Sequence, residues 1–144
     1  MPSPPSADAV DAASLDTIIA ALYEVISGAA GQPRNWSRYR SLFLPEGRSI
    51  LAVVKQGEAP TVRMLDLEAY IRRVDPILEK EDFWEVETGR TAEVFGNVAH
   101  VLSYYESRRQ KNGPAFTSGA NSMQLFFDGT RWWFASVMWN TERA

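Results

Sequence analysis

The chain has 144 residues, of which 45% are hydrophobic and 23% are charged, and its formal net charge is −3. This length predicts one domain, and the slight acidity gives no support to binding of nucleic acid or of an anionic membrane. The absence of cysteine excludes disulfides, thiolate metal sites and cysteine nucleophiles. No apolar run reaches the roughly 20 residues that a membrane span needs, and the N-terminus does not resemble a signal peptide. We therefore expect a cytoplasmic protein that does not enter a membrane.

The first ten residues differ in composition from the rest of the chain. They begin with MPSPPS, a run of proline and serine with almost no apolar surface. Such a segment buries too little to offset its ordering entropy, so residues 1–10 are predicted to be a disordered tail. Residues 11–144 are predicted to form a single domain.

The first predicted element is a long amphipathic helix. Apolar residues from Leu15 to Ala29 recur at intervals of three and four, which indicates one broad buried face. Asp11 or Ser14 could cap its N-terminus, and Gly28 is a stop signal near its other end. A core helix packed on a sheet is the simplest interpretation.

A second, shorter helix and a third one are predicted further along. Asn35 could cap a short aromatic helix, which the turn Pro45-Glu46-Gly47 follows. The β-branched, apolar run from Ser49 to Val54 predicts a strand. The third helix begins near Asp66 and ends or bends at Asp75-Pro76, because the residue before a proline disfavours helical geometry.

The second half of the chain predicts strands. The runs Phe83 to Phe95 and Val98 to Arg109 flank Gly96-Asn97, which is a two-residue hairpin signal. A polar loop from Gln110 to Gly119 is expected to follow. Beyond it, a more aromatic run extends to Glu142 and turns back on itself at Asp128-Gly129.

Helices followed by a strongly bent antiparallel sheet predict an α+β domain whose sheet covers the long helix. In the first hairpin, placing Phe95 opposite Val98 also brings Glu93 opposite His100, and side chains then alternate between the two faces. The face predicted to point to the core holds Val86, Thr88, Arg90, Ala92, Val94, Ala99, Val101, Ser103 and Tyr105. The face predicted to point outward holds Glu87, Thr91, Glu93, Phe95, His100, Leu102, Tyr104 and Glu106. A shift of one residue would exchange the two faces.

The segments FGNVAHV, SYYESRR and NSMQLFFDGTRWW, in this order, resemble the SnoaL-like branch of the nuclear-transport-factor-like superfamily. The resemblance covers roughly residues 14–142. It implies a curved, mixed or antiparallel sheet wrapped around N-terminal helices into a cone, often dimeric through the outer face of the sheet. The superfamily includes ketosteroid isomerase, scytalone dehydratase, polyketide cyclases and non-catalytic binding and transport domains, so the fold alone does not select an activity.

His100 is the candidate for a catalytic base, because the enzymes that the chain resembles place an Asp or His inside the cone. On the predicted register it lies on the outer face opposite Glu93, where a cross-strand pair or a dimer contact is the simpler interpretation. Only a shifted register would turn it inward.

Several residues are candidates for ligand binding. Arg90 could clamp a carboxylate or a phosphate, although a structural pair with a nearby Glu is the commoner use of such an arginine. The other candidates lie on the helices and on the sheet: Tyr23, Tyr39, Ser103, Tyr105, Gln124 and Trp139. There is no glycine-rich phosphate loop, no serine nucleophile elbow and no cluster of metal ligands, so no cofactor and no metal are expected.

Two functions are the main candidates, and a third is a purely protein-binding role, which would require an occupied outer face and a filled cone. One is binding of a small apolar or carboxylate-bearing molecule in an internal hydrophobic pocket, without catalysis, by a homodimer formed through the outer face of the sheet. The alternation of Trp132, Trp133 and Phe134 must turn some aromatic rings outward, which favours a partner there. The other is an isomerase, dehydratase or cyclase of the ketosteroid-isomerase type that abstracts a proton from an apolar cyclic substrate. An ionisable base inside the cone would distinguish the second from the first.

Overall fold

The computed structural model describes residues 10–140, which form three helices and six strands in an α+β fold. Nearly all of the predicted tail over residues 1–10 lies outside these described residues, as do residues 141–144. The elements in chain order are α1 (Leu15–Ile26), α2 (Trp36–Ser41), β1 (Phe43–Val53), β2 (Thr61–Leu65), α3 (Leu67–Lys80), β3 (Trp84–Phe95), β4 (Val98–Arg108), β5 (Ala115–Phe127) and β6 (Trp132–Asn140).

The strands form one mixed sheet in the order β2-β1-β6-β5-β4-β3. β1 and β6 run parallel, and all the other neighbours are antiparallel. The predicted α+β class with a mixed sheet is therefore confirmed. The sequence did not predict β2, whose side chains are almost all exposed and show no buried alternation. No helix within residues 10–140 is both long enough and apolar enough to cross a membrane.

Side chains at the helix starts satisfy the free backbone amides as predicted. Ser14 caps α1 and exchanges hydrogen bonds with Thr17 in a capping box. Asn35 accepts from the amide of Arg38 at the start of α2, and Asp66 caps α3 in the same way. These caps determine where each helix enters the core.

Three predicted boundaries were wrong. α3 does not end at Asp75-Pro76 but continues to Lys80 with the proline inside it. The predicted turn at residues 45–47 lies within β1, where the pairing with β6 is interrupted between Phe43 and Arg48. The predicted loop after Gln110 is short, because β5 already begins at Ala115 and pairs with β4.

The core lies between one face of the sheet and the helices. The largest fully buried side chains come from α1, α2 and the central strands: Ile18, Ile19, Tyr39, Leu42, Phe43, Val101, Ser103, Met123, Leu125 and Phe134. On β4, Ala99, Val101, Ser103 and Tyr105 are all buried, so the inner face of this strand is the predicted one.

β3 pairs with β4 in the predicted register only from Gly89 to Phe95. Within that stretch Glu93 lies opposite His100, as expected. At Thr88 the pairing shifts by one residue, so that Glu87 lies opposite Tyr105 instead of Glu106. This extra residue is a β-bulge, and it inverts the alternation of every position on β3 before it.

The predicted faces were therefore wrong for the first part of β3. Val86, predicted to point inward, is opposite Glu106 on the outer face. Glu87, predicted to point outward, and Glu85 two residues before it lie on the inner face. The bulge thus turns two carboxyl groups toward the interior.

Candidate functional site

A cavity of about 250 Å³ lies between the helices and the inner face of the sheet. Most of its wall is aliphatic or aromatic. Its polar and aromatic side chains are Tyr23, Tyr39, Phe43, Ser49, Tyr70, Phe83, Glu85, Tyr105, Ser107, Asn121 and Trp139. Ile77 of α3 also lines the cavity and is 50% exposed, so the cavity reaches the surface beside α3.

Aromatic rings from both helical and strand elements pack together on one side of the cavity. Tyr39 and Tyr70 are stacked with ring centroids 5.1 Å apart, and Trp139 meets the edge of Tyr70 at 6.0 Å. Trp36 packs edge-on against both tyrosines, and its indole nitrogen donates to Asp75, which ties α2 to α3. We call Tyr39, Tyr70 and Trp139 the aromatic cluster.

The two tyrosine hydroxyls of the aromatic cluster differ in their partners. Tyr39 shares a hydrogen bond of 3.2 Å with the hydroxyl of Ser49. No hydrogen bond joins the Tyr70 hydroxyl to another residue in the described range 10–140, and because no buried polar side-chain atom there lacks a partner, this hydroxyl is accessible. Burial raises the pKa of both phenols above the usual value, so both are neutral and able to donate at physiological pH.

Among residues 10–140, the cavity lining contains one acidic residue, Glu85, and no Lys, Arg or His. The backbone amide of Glu85 donates to Ser27, but within residues 10–140 its carboxyl group has neither a hydrogen bond nor an ion pair. The side chain is half-buried, and the surface that it exposes borders the cavity. Burial raises the pKa of this carboxyl to about 8, because the surrounding apolar and aromatic groups solvate its charge poorly.

A hydrogen-bonded chain lies beside the cavity. The buried Ser103 hydroxyl donates to Glu87 at 2.6 Å, so the hydroxyl of Tyr23, 2.7 Å away, must donate to Ser103. Tyr23 in turn accepts from the amide of Asn121 at 3.1 Å. Burial is the main cause that raises the pKa of Tyr23. This chain is fully paired, so its role in the fold is to hold Tyr23 and Asn121 on the cavity wall.

Arg90 completes the hydrogen-bonded chain and does not line the cavity. Its guanidinium donates to both carboxylate oxygens of Glu87, at 2.7 and 3.0 Å, and to Asp16 at 2.6 Å. The structural pair with a nearby Glu, one of the two alternatives for this arginine, is therefore present. Ser103 also lies behind the cavity wall, where it contacts Tyr23.

The remaining predicted site residues fall into two groups. Tyr23, Tyr39, Tyr105 and Trp139 line the cavity, and their role as ligand contacts stays a prediction. Gln124 and His100 lie opposite each other on the outer face, where the Gln124 amide donates to Nδ1 of the exposed His100 at 2.6 Å. Neither of these two residues lines the cavity.

The sequence did not single out Glu85, Tyr70 or Asn121. Glu85 was missed because strict alternation, without the bulge, places it on the outer face. The available signal was Gly89, since a glycine inside a strand pattern often marks a bulge. Within residues 10–140, no three His, Cys, Asp or Glu side chains are grouped so that they could hold a metal ion.

No protein-family sequence model matches the chain, and no curated protein sequence matches it. Solved structures do. A protein of unknown function with a cystatin-like fold from Nostoc punctiforme superposes with a TM-score of 0.68 at 11% identity, over 96% of each chain. An NTF-2-like protein of unknown function from Silicibacter pomeroyi gives a TM-score of 0.55 at 13% identity, over 88% of this chain and 92% of its own. LinA superposes with a TM-score of 0.63 at 10% identity, over 91% of this chain and 85% of its own.

The chain has the cystatin-like, NTF-2-like fold. The resemblance seen in the sequence is thereby confirmed at the level of the fold. Identities this low carry no activity from one NTF-2-like protein to another, and several of these neighbours are themselves of unknown function. The function has to be argued from the cavity.

Proposed function

We propose that this chain is a small-molecule-binding protein whose ligand occupies the cavity between the helices and the sheet. The observation that supports this most is a mainly apolar cavity on whose wall the Glu85 carboxyl and the Tyr70 hydroxyl have no hydrogen-bond partner among residues 10–140. No fully buried polar side-chain atom in that range lacks a partner, so these two groups are open to the cavity. A mainly apolar cavity with a few converging polar groups is the usual form of a ligand site.

The size and the charge of the cavity limit the ligand. Its volume of about 250 Å³ exceeds the roughly 150 Å³ of an apolar cavity that accepts benzene, so a substituted single ring is a suitable size. Sequence reasoning allowed an apolar or a carboxylate-bearing ligand. The described part of the cavity wall offers a carboxyl group and no cation to meet a carboxylate of the ligand, which favours a ligand without a carboxylate.

Filling the cavity tests this proposal. Val74 lines the cavity on α3, so Val74→Phe should occupy part of its volume and remove binding of small aromatic ligands. Val62→Phe on the exposed part of β2 is the matched control. Native mass spectrometry of the freshly purified protein, with and without collisional activation, would detect a co-purified ligand. Unchanged ligand binding by Val74→Phe would contradict the proposal.

Catalysis by proton transfer is a second candidate function, and Glu85 is the observation that favours it. A carboxyl with a pKa of about 8 is close to the range that suits a general acid or base at neutral pH. Ionised Glu85 would take a proton from the carbon beside a ketone, and the Tyr70 hydroxyl would donate a hydrogen bond to the enolate oxygen. Return of the proton to another carbon would complete an isomerisation.

Deuterium exchange separates catalysis from binding alone. The second candidate predicts that the protein accelerates exchange of the protons beside the carbonyl of cyclohexanone in D₂O, followed by proton NMR. The rate should rise with pH up to about 8, and Glu85→Gln should abolish it. Glu58→Gln, in the exposed loop after β1, is the control. No acceleration by the native protein would reject this second function and leave the binding proposal standing.

We also propose that the protein is a homodimer through the outer face of the sheet. Exposed apolar side chains lie across this face, including Tyr104, Phe126, Met138 and Met64. Contiguous apolar surface of this kind commonly marks an interface. A row across the same face carries Glu93 on β3 and Arg48 on β1 at its two ends. A two-fold axis parallel to the strands would bring these opposite charges together.

A charge at the centre of this face tests the dimer. Met138→Lys should convert a dimer to a monomer in light scattering coupled to size exclusion, because an ammonium would be buried without a partner. Gln56→Lys in the exposed loop after β1 adds the same charge and should leave the mass unchanged. A native protein that is monomeric at micromolar concentration would refute the dimer.

A further inference from the structure

The groups that face Glu85 cannot neutralise it. The ionisable side chains on the cavity wall besides Glu85 are four tyrosines, one each from α1, α2, α3 and β4: Tyr23, Tyr39, Tyr70 and Tyr105. Burial raises the pKa of Tyr23, Tyr39 and Tyr70, so these three are neutral at physiological pH. The nearest arginine along the strand, Arg90, is committed to Glu87 and Asp16. Within the described residues, the carboxyl of Glu85 therefore faces a cavity without a cation.

The rest of the wall suits a positive charge. An ammonium group carries only hydrogen-bond donors, and the Glu85 carboxylate and the Tyr70 hydroxyl oxygen are acceptors without protein partners. The aromatic cluster adds the π-faces of tyrosine and tryptophan, which attract cations within about 6 Å. An unpaired carboxyl next to stacked aromatic rings is an arrangement that recognises organic cations.

We propose that the ligand of this cavity is an organic ammonium ion of about the size of an arylalkylamine, with its nitrogen paired to Glu85 and its ring against the aromatic cluster. This inference rests on the proposed binding function and specifies its ligand class. The chain's net charge of −3 assists it weakly, since a negative protein raises the local concentration of cations.

Binding of such a cation has a definite proton balance. In the free protein at neutral pH, Glu85 is mostly protonated, since its pKa is about 8. The bound state pairs a carboxylate with an ammonium, so the carboxyl proton leaves to solvent while the ligand keeps its own. About 0.9 proton is therefore released per ligand at pH 7. A neutral ligand releases none, because protonated Glu85 can donate a hydrogen bond to it unchanged.

Calorimetry with three probes of similar shape tests the inference: phenethylamine as cation, phenethyl alcohol as neutral ligand and phenylacetate as anion. Titrations in buffers of different ionisation enthalpy measure the proton release directly. We expect phenethylamine to bind with close to one proton released, and its affinity to rise about tenfold per pH unit below about pH 8. Phenethyl alcohol should bind without proton release, and phenylacetate should bind least.

Glu85→Gln keeps the shape of the side chain and removes its charge. It should abolish the proton release and weaken the binding of phenethylamine at least tenfold near pH 9, while the affinity for phenethyl alcohol stays unchanged. Glu58→Gln, in the exposed loop after β1, should behave as the native protein, and circular dichroism checks the fold of both variants. Phenethylamine bound without proton release, or equally well by Glu85→Gln, would overturn the inference. If the alcohol binds and the amine does not, only the ligand class fails. If no probe binds and the purified protein carries no ligand, the binding function fails with it.

Discussion

Glu85 and Glu87 lie two residues apart on the same face of the same strand, and both are half-buried. Their surroundings are nonetheless opposite. Glu87 accepts two hydrogen bonds from Arg90 and one from the Ser103 hydroxyl. Glu85 accepts none from the described residues and faces the cavity. Burial alone therefore does not distinguish a structural carboxylate from a candidate site residue. The hydrogen-bond partners of the two carboxyls do distinguish them.

The physical reason for the difference is the position of each residue relative to α1. Tyr23 and Asp16, both on α1, meet the hydrogen-bonded chain that contains Glu87, so the helix and strand complete its contacts. Glu85 is two residues before Glu87 on β3, so it lies outside this hydrogen-bonded chain and next to the cavity. Donors from the protein itself surround the Glu87 carboxyl, whereas the Glu85 carboxyl faces the cavity, where a ligand could contact it.

The largest expected effect is on the pH dependence of stability. Because the folded pKa of Glu85 lies at about 8 and the usual value is 4.5, the folded state binds more protons between these values. Stability from this group is therefore full below about pH 4.5, falls as pH rises to about 8, and levels off above. At about 1.36 kcal/mol per pKa unit, with a discount for water in the cavity, we expect a loss on the order of 3 kcal/mol.

Glu85→Gln measures this contribution. Urea unfolding at several pH values should show that the variant lacks most of the decline between pH 5 and 9 and is more stable than the native protein at pH 9. Glu58→Gln, in the exposed loop after β1, should retain the decline. Parallel stability curves for native protein and Glu85→Gln would show that the Glu85 carboxyl is not poorly solvated, and the contrast with Glu87 would lose its basis.

The second effect concerns Glu87. Glu87→Gln keeps the shape of the side chain and loses the charge that Arg90 and the buried Ser103 hydroxyl contact. We expect a loss of about 2 kcal/mol in the free energy of unfolding at pH 7, as for charge-assisted hydrogen bonds. Glu85→Gln at the same pH should not be destabilised. Equal losses in the two variants would mean that the paired and unpaired carboxyls contribute alike.

The third effect concerns Tyr105, which lies opposite Glu87 on β4 and lines the cavity. A Cβ at position 119 would lie 2.6 Å from the Tyr105 hydroxyl and 2.9 Å from its ring, so Gly119→Ala must displace this tyrosine. We expect a loss of about 1 kcal/mol and altered ligand affinity. Gly89→Ala on β3, where a Cβ meets nothing within 4 Å, is the control in the same sheet. A Gly119→Ala protein with native stability and native ligand binding would contradict this role.

Local signals in the sequence were enough for much of the fold. The cap Asn35, the start of α3 near Asp66 and the turn at Gly96-Asn97 depend on neighbouring residues alone, and each is where the sequence predicted it. Ser14 is one of the two caps that the sequence allowed for α1. The inner face of β4 also followed from alternation. β2 did not, because an exposed edge strand obtains its structure from backbone pairing with β1 and carries no side-chain pattern.

The site was less predictable than the fold, because the inward orientation of Glu85 depends on one extra residue in β3. The bulge at Thr88 depends on how β3 fits against both β4 and α1, which alternation along one strand does not contain. Without it, Glu85 points outward and the cavity has no carboxyl. Tyr23, Tyr39, Tyr105 and Trp139, which the sequence predicted as ligand contacts, line the cavity, but Glu85 was absent from the prediction.

The smallest expected effect is at the outer end of the hydrogen-bonded chain. Asp16 accepts from Arg90 at 2.6 Å, but its side chain is 89% exposed, so water competes fully for it. Asp16→Asn should change the free energy of unfolding by less than about 0.5 kcal/mol, as exposed ion pairs do. Thermal melts at low and high salt would measure it, with Glu87→Gln as the comparison. A loss as large as that of Glu87→Gln would mean that Arg90 needs both carboxylates, so that the support of the cavity wall extends to the surface of α1.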